Sequence, residues 1–559
     1  MEKIVECVPN FSEGRNQEVI NKIADAIRSV EGVVLLDVDP GQATNRTVYT
    51  FVGEPEAVKE AAFRAIKTAA ELIDMRQHQG EHPRMGAADV VPFVPVSGVT
   101  MEECVRLAEE LGKRVGEELG IPVYLYEYAA RSEERRSLAN IREGEYEALP
   151  RKLQDPRWRP DFGPAEFNER VAKTGATVIG AREFLIAYNV NLNTRDKKLA
   201  HEIALNIREK GRYKRDANGK IVRDENGNKV RIPGKLKAVR AIGWYIDEYG
   251  QAQVSINLVN YKITPLHQVF EACVEEARKL GLRVTGSEIV GLVPKEAILQ
   301  AGQYFLKKQG RSTAVPEEEL VHMADLSLGL SQLSPFKPEE KIIELRLERD
   351  RKRLWKMSVR DFVNELSSQS PAPGGGSAAA LSGALSAALA AMVSNLTFLK
   401  KGFEDVREEI EKMGVEAQGL KDQFLSLMDR DTEAFNRVMA AFKTSKKDPE
   451  REQKIQEAVR EATMVPLETL RASEKLLDLA SVAVEKGNPN SISDSAGVAV
   501  MALAAGEEAY LNVLINLPSL EDEEFKERVQ EEARQLLKKL KEKAGELVEK
   551  VREKLEGEV

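Results

Sequence analysis

Two of the chain's five histidines fall in one short stretch, MRQHQGEHPRMGAAD at 75–89, as His78 and His82. Imidazole both takes and gives a proton near neutral pH, so this stretch can carry general acid–base chemistry. Pro83 lacks a backbone donor and fixes its own φ, which stiffens the chain directly after His82. Arg84 adds a planar fork of donors that suits a carboxylate. The plainer reading is that both histidines brace a tight turn. A second candidate is Asp39, at the end of the apolar run 33–39. It is placed either to orient an imidazole, as a triad carboxylate does, or to cap a strand end. Far along the chain, Asp429 and Asp431 flank Arg430 on a predicted helix, and PAPGGGS at 371–377 opens another. Either acid could move a proton, and either could be an ordinary exposed helix residue. Glycines ahead of a helix start can cradle a carboxylate, but no Lys-Ser/Thr pair follows as a phosphate loop requires.

The elements that must hold these residues change character along the chain. Apolar runs at 4–8, 33–39, 46–52, 90–96 and 123–126 read as strands, with helices after Ser12, from Glu54 and from Thr100. Val58, Ala62, Ala65, Ala69 and Leu72 form one stripe of the helix that feeds the histidine loop. The order is βαββαβ, and it recurs after Thr177: strand 184–190, helix 198–208, hairpin 237–246 with 252–261, helix 265–280 and strand 282–284. Two ferredoxin-like subdomains, 1–180 and 181–340, are expected, with a ligand crevice between them. Asn-Gly pairs at 218–219 and 226–227 mark 213–232 as a protruding hairpin, either surface decoration or a lid. A charged linker at 341–356 leads into an all-α helical bundle at 357–559, with long helices expected at 405–442, 450–485, 491–514 and 521–554. No charged residue lies between Glu365 and Lys400, which raises a membrane span. The segment is mostly Ala, Ser and Gly with Asn395 inside, and no second span is read after it, so a buried bundle helix is the expectation.

Composition narrows the class. At 559 residues several domains are needed, and 42% hydrophobic with 31% charged residues is the balance of a globular protein. The net charge of −9 argues against a generic nucleic-acid binder. Cys7, Cys104 and Cys273 are too scattered for a disulfide framework or a zinc site, and no signal peptide is visible. A cytoplasmic setting is expected, with no bound metal, no membrane and no nucleic acid.

The run RQHQGEHPRMGA at 76–87 resembles the active-site loop of the glutamate formimidoyltransferase family, and the likeness extends over 1–340. It implies that His82 is catalytic. DVDPGQATNRT at 37–47 resembles a family motif that sets Asp39, Asn45 and Arg46 near the reacting groups, and Asn10 matches the N-terminal motif. Arg84 is the natural partner for a glutamate carboxylate. Gly163-Pro164 and GATVIGAR at 175–182, with Gly175, Thr177, Gly180 and Arg182, resemble folate-contacting segments. The C-terminal part, through PAPGGGS at 371–377, MDRDTEAF at 428–435 and NVLINL at 512–517, resembles the cyclodeaminase family. There the acidic residue maps onto Asp431; Gly374, Gly375 and Gly376, ahead of a helix start, are read as a cradle for a carboxylate or the folate pteridine. The resemblance implies a bifunctional folate enzyme of histidine breakdown, with tetrahydrofolate, bare or polyglutamylated, as cosubstrate and no bound cofactor. A formyl donor with cyclohydrolase activity, or a folate-binding scaffold without catalysis, are the rivals. The family assembles as rings of dimers, so a homo-oligomer, from a dimer to an octamer, is expected.

Overall fold

In the computed structural model, the structure describes residues 3–42, 45–80, 83–349 and 352–557. The chain divides into two compact units. One runs to Ala297 and takes in Glu340–Leu347; the other comprises Ile298–Glu339 and everything from Glu348 onward.

The first unit is built on two sheets. Strands β1 (Ile4–Cys7), β2 (Asn10–Phe11), β3 (Val33–Gly41), β4 (Arg46–Gly53), β5 (Ala88–Ser97), β6 (Val123–Glu127) and β7 (Thr177–Ala181) form the first. β1 and β2 both lie between β4 and β5, β3 flanks β4, and β7 then β6 continue beyond β5 in parallel. Helices α1 (Gln17–Arg28), α2 (Pro55–Leu72) and α3 (Met101–Leu119) cover one face, burying Val5, Cys7, Tyr49, Phe51, Val91 and Phe93 against Ile23, Ala65 and Leu111. Strand alternation turns the intervening residues to the opposite face. The helix ends follow local chemistry. Asn16 accepts from the Glu18 and Val19 amides to start α1, Pro55 opens α2, and Thr100 with Glu103 forms a capping box on α3. Most of the predicted α2 stripe is buried, but Leu72 at its last position is 38% exposed, with Ile73 beyond it buried instead.

The second sheet contains β8 (Ile186–Leu192), then, after the small ladder of β9 (Arg212–Tyr213) and β10 (Arg231–Ile232), β11 (Val239–Ile246), β12 (Gln251–Leu258) and β13 (Val284–Val290). Its order is β11-β12-β8-β13, antiparallel throughout, with α4 (Lys197–Ile207) and α5 (Leu266–Lys279) as crossovers. The Asn-Gly pairs of the 213–232 insertion do make turns: Gly219 and Gly227 have φ of 78° and 80°, and Asp216 and Asp224 accept from the turn amides.

The second unit holds most of α6 (Lys295–Lys308), α7 (Glu317–Leu328) and five long helices: α8 (Gly375–Phe398), α9 (Arg407–Lys443), α10 (Arg451–Lys486), α11 (Ile492–Asn516) and α12 (Glu523–Gly557). α8 is a buried bundle helix whose small residues allow close approach; a Cβ on Gly383 would sit 2.3 Å from the Phe424 ring of α9. By length and hydropathy α8 passes as a membrane span, and so does the stretch Pro489–Ser519, which corrects the expectation of no second one. Glu507 and Glu508 break that stretch in the sequence while leaving a long enough apolar window around them.

Candidate functional site

The first site is best read row by row across the first sheet. Asp39 pairs with Val48, Val48 with Asn10, Asn10 with Val90, Val90 with Val178 and Val178 with Tyr124. Partners directly opposite share a face, and this row lies on the face opposite α1, α2 and α3, where short helical segments at Leu138–Ile141, Leu149–Lys152 and Glu169–Thr174 cover its Val90, Val178 and Tyr124 end. Arg46, two residues from Val48, stands on that face diagonally from Asp39. Asp39 is exposed and Arg46 is half-buried, its pKa lowered by burial, with Asp89 and Asp39 opposing that shift. Asp89 is fully buried, accepts from the Met85 amide at 2.9 Å and is paired with Arg142. The face also holds Glu6, opposite Val52 and Val94. Burial raises the Glu6 carboxyl to about 7, while the charge of Arg182 pulls it down.

His82 lies outside the described residues; the rest of its loop is described up to Gly80 and from Pro83. Asn45, at φ 47°, accepts from the Gly14 amide through Oδ1 at 3.0 Å and donates through Nδ2 to the Gln79 carbonyl at 3.0 Å. The Asn45 carbonyl lies 2.9 Å from His78 Nε2, and Arg84 Nε lies 3.3 Å from His78 Nδ1. Only the neutral imidazole with its proton on Nε2 satisfies both neighbours, since Arg84 has nothing but hydrogens to offer. Burial lowers the His78 pKa accordingly, the Asn45 carbonyl opposing and the Arg84 charge assisting. His78 is therefore a brace of the loop, as the plainer reading had it. Arg84, expected to meet a substrate carboxylate, is engaged by Glu147 at 2.7 and 2.9 Å and by Glu145 at 2.9 Å. Asn10 spends its amide on the Val8 carbonyl.

Among the glycines, Gly175 has a local reason. At φ +68°, its Cβ would sit 2.3 Å from the Met85 carbonyl, and that of Gly86 would sit 2.4 Å from the Ala176 carbonyl. The two backbones cross here, with Ala87 N donating to Thr174 and Ala176 N to Met85. Gly180 on β7 underlies the Tyr126 ring, Thr177 is buried at the start of that strand, and the Arg182 amide donates to the Phe93 carbonyl. Gly163 (φ +82°), with Pro164 after it, packs on the Ile121 carbonyl. The helix-free face of the second sheet adds residues the sequence did not flag: Trp244 donates to Gln253, and Gln253 donates to Asn191 and Glu288. Asn189 completes the chain on Glu288 at 2.9 Å.

The second site gathers all three C-terminal motifs. α8 starts at Gly375 with Gly374 as its cap, and its first residues face Asp431 of α9 and Glu508 and Asn512 of α11. A Cβ on Gly376 would sit 2.0 Å from Asp431 Oδ1, and one on Gly375 would sit 2.3 Å from Glu508 Oε1. Glycine lets both carboxyls lie on the helix backbone. Burial raises the Asp431 pKa, and the hydroxyl and amide of Ser377 hold it back. Asp429 is 5% exposed and accepts from the Leu354 amide at 2.7 Å beside Arg353. Neither acid is thus an ordinary exposed helix residue. Ser377, the last residue of the PAPGGGS motif, and Glu508, four residues before Asn512, are the additions of the structure; neither was singled out from the sequence.

Family models match in three consecutive segments: "Formiminotransferase domain, N-terminal subdomain" at 4–182, "Formiminotransferase domain" at 187–348 and "Formiminotransferase-cyclodeaminase" at 358–535. The chain is 46% identical to formimidoyltransferase-cyclodeaminase of Rattus norvegicus over 544 residues, 96% of each protein. It is 47% identical to glutamate formimidoyltransferase of Thermoplasma acidophilum over 309 residues, 55% of this chain and 93% of that one. A methenyltetrahydrofolate cyclohydrolase of Methylorubrum extorquens is 42% identical over 185 residues, 32% of this chain and 88% of its own. With the similarity to the rat protein running nearly end to end, the chain belongs to the formimidoyltransferase-cyclodeaminase family and is an enzyme of two activities.

Proposed function

We propose that the chain moves a formimidoyl group from N-formimidoyl-L-glutamate to N5 of tetrahydrofolate, then closes the ring to 5,10-methenyltetrahydrofolate with loss of ammonia. The transferase takes 1–180 and 181–340, each a ferredoxin-like subdomain. That reading rests on the shared strand order, β3-β4-β1-β5 in one and β11-β12-β8-β13 in the other. Residues 341–356 link it to the cyclodeaminase at 357–559.

In the transfer, N5 attacks the amidine carbon and must shed a proton, while the departing glutamate amine must gain one. His82 carries that proton; its loop is braced by Asn45, His78 and Arg84. Asp39 and Arg46, on one sheet face with Asn10, set the charge around the reacting groups. Folate lies near Gly163, Pro164, Gly175, Thr177, Gly180 and Arg182, with the Gln253–Glu288 amide chain as a further wall. In the second step N10 attacks the formimidoyl carbon, N10 loses its proton, and Asp431 protonates the leaving nitrogen, with Gly374, Gly375 and Gly376 seating the substrate. The observation that carries this part is the convergence of three distant motifs on the first turn of α8.

A homo-oligomer is proposed as well. Exposed Leu385, Met392 and Leu396 on α8, with Val500, Leu511 and Ile515 on α11, are the kind of surface that another subunit covers.

The kinship with a methenyltetrahydrofolate cyclohydrolase favours a second reading, in which the helical part hydrolyses methenyltetrahydrofolate. The test feeds formimidoylglutamate and tetrahydrofolate to the whole chain and follows methenyltetrahydrofolate absorption and ammonia together. Equal release of the two supports cyclodeamination. Transfer without ammonia, with consumption of supplied methenyltetrahydrofolate, supports the alternative.

A further inference from the structure

The buried hydroxyl of Ser377 has more acceptors than it has hydrogens. Its Oγ is fully buried and lies 3.0 Å from the Met428 carbonyl, 3.0 Å from Asp431 Oδ2 and 3.2 Å from the Thr432 hydroxyl. A serine has one hydrogen to give, and neither a carbonyl nor a carboxylate can return one. The arrangement is satisfied in two ways, one for each protonation state of Asp431. With Asp431 ionised, the Ser377 hydrogen points to its carboxylate and the Thr432 hydroxyl can donate to Oγ. With Asp431 protonated, the acid donates to Ser377 Oγ, and the serine hydrogen turns to the Met428 carbonyl.

We propose that Ser377 is a positioning residue for the cyclisation step, its hydroxyl swinging between Met428 and Asp431 so that the acid keeps a partner before and after it gives up its proton. This rests on the reading of Asp431 as the proton donor. The carboxyl has little room to escape, because the Gly376 backbone lies against its other oxygen. The surrounding charged groups are Glu508 of α11 at Gly375, Glu468 of α10 held by Arg430, and Asp429 and Glu433 on Asp431's own helix, which Arg353 meets. Burial and Ser377 are what move the Asp431 pKa, in opposite directions.

The step balances without another reactant. On the protonated formimidoyl group, the N10–C bond forms and N10 gives up its proton to solvent. Asp431 passes its proton to the departing nitrogen, the C–N bond breaks, and ammonia leaves with the electron pair. Asp431 is then reprotonated from solvent, and Ser377 turns back.

The experiment supplies 5-formimidoyltetrahydrofolate to the full-length protein and records methenyltetrahydrofolate formation against pH. Ser377→Ala is expected to lower kcat about tenfold or more, with KM within about twofold. The pH limb that belongs to Asp431 should move upward, since its carboxylate loses a donor and its protonated form is favoured. Ser377→Cys keeps the volume with a weaker donor and should fall between wild type and Ala, which keeps the test alive should Ala not fold. A wild-type kcat and limb in either folded variant would overturn the proposal, as would a lower kcat with an unmoved limb, the mark of a merely structural serine. Asp431→Asn separates the two layers. If it cyclises normally, the reading of Asp431 itself fails; if it is inactive while Ser377→Ala matches wild type, only the role of Ser377 fails.

Discussion

The two candidate sites use glycine for opposite purposes. Beside the histidine loop, Gly86 and Gly175 are where two backbones cross, and an added Cβ would meet carbonyl oxygens that cannot move alone. At the start of α8, Gly375 and Gly376 face the ends of Glu508 and Asp431, so an added Cβ would meet functional groups instead. In the sheet-built unit, glycine makes the frame and register gathers the chemistry, in one row from Asp39 to Asn10 across three strands. In the helical unit, Gly383 still serves close helix packing, but at the site itself glycine exposes one helix end to groups from two others. Stability and activity should therefore separate differently in the two units.

The strongest way to break this contrast is Gly376→Ala. Its methyl would displace the Asp431 carboxyl, and misplacing a catalytic group by about 1 Å can cost on the order of 10²-fold. Cyclisation of supplied 5-formimidoyltetrahydrofolate should drop by that order while transfer and the melting temperature change little. A large fall in melting temperature would show that Gly376 is a packing glycine like those of the first unit. Gly175→Ala should do the reverse. A positive φ and a collision with the Met85 backbone put its cost at about 3 kcal/mol or more, readable as a lower denaturant midpoint. An unchanged midpoint with lost transfer would mark Gly175 as a ligand contact above all.

A smaller effect sharpens the electrostatic side. Glu6 is buried on the face opposite α1, α2 and α3, with its carboxyl raised to about 7. A raised carboxyl contributes fully below its unfolded pKa and loses that contribution as pH climbs through the folded value. Glu6→Gln should therefore stabilise the protein on the order of 2 kcal/mol at pH 8, the shift being the ceiling and the buried amide taking part of it back. At pH 4 the two proteins should unfold alike. A destabilised Gln variant at pH 8 would mean that ionised Glu6 is held by Arg182 more firmly than burial opposes it.

Much of this was legible in the sequence, and the misses have physical causes. The four long C-terminal helices end within a few residues of expectation because their apolar stripes are long and periodic. The β11–β12 hairpin follows from its alternation, with Val254, Ile256 and Leu258 buried and Ser255 and Asn257 turned away. Strand β7 was hidden: Thr177–Ala181 is buried on both faces, shows no alternation and carries Gly180, so it read as a turn-rich ligand segment. Its neighbours, β5 and β6, are distant in sequence and parallel to it, a pairing that local pattern cannot reveal. β13 was read as 282–284 but runs Val284–Val290, because Thr285, Ser287 and Glu288 disguise it and a register shift interrupts it after Val284. Asp429 was equally opaque; its burial depends on Leu354 and Arg353, which no helical period places beside it.

For the sites, residue types were more legible than duties. Asn10, Asp39 and Arg46 do share a face, and of the three glycines Gly376 does meet Asp431, while Gly375 meets Glu508. What spacing could not disclose is how Arg84 is occupied. Glu145 and Glu147, 61 and 63 residues further along the chain, take its guanidinium and so anchor the loop after Pro83.

The central claim is that two proton-transfer chemistries reside in separate units, one on His82 and one on Asp431. His82→Ala in the full-length protein tests it most directly, assayed once with formimidoylglutamate and tetrahydrofolate and once with supplied 5-formimidoyltetrahydrofolate. The account predicts transfer reduced by about 10²-fold or more, the usual worth of general acid–base catalysis, with cyclisation at the wild-type rate. Transfer above about a tenth of wild type, or cyclisation lost along with it in a folded protein, would contradict it.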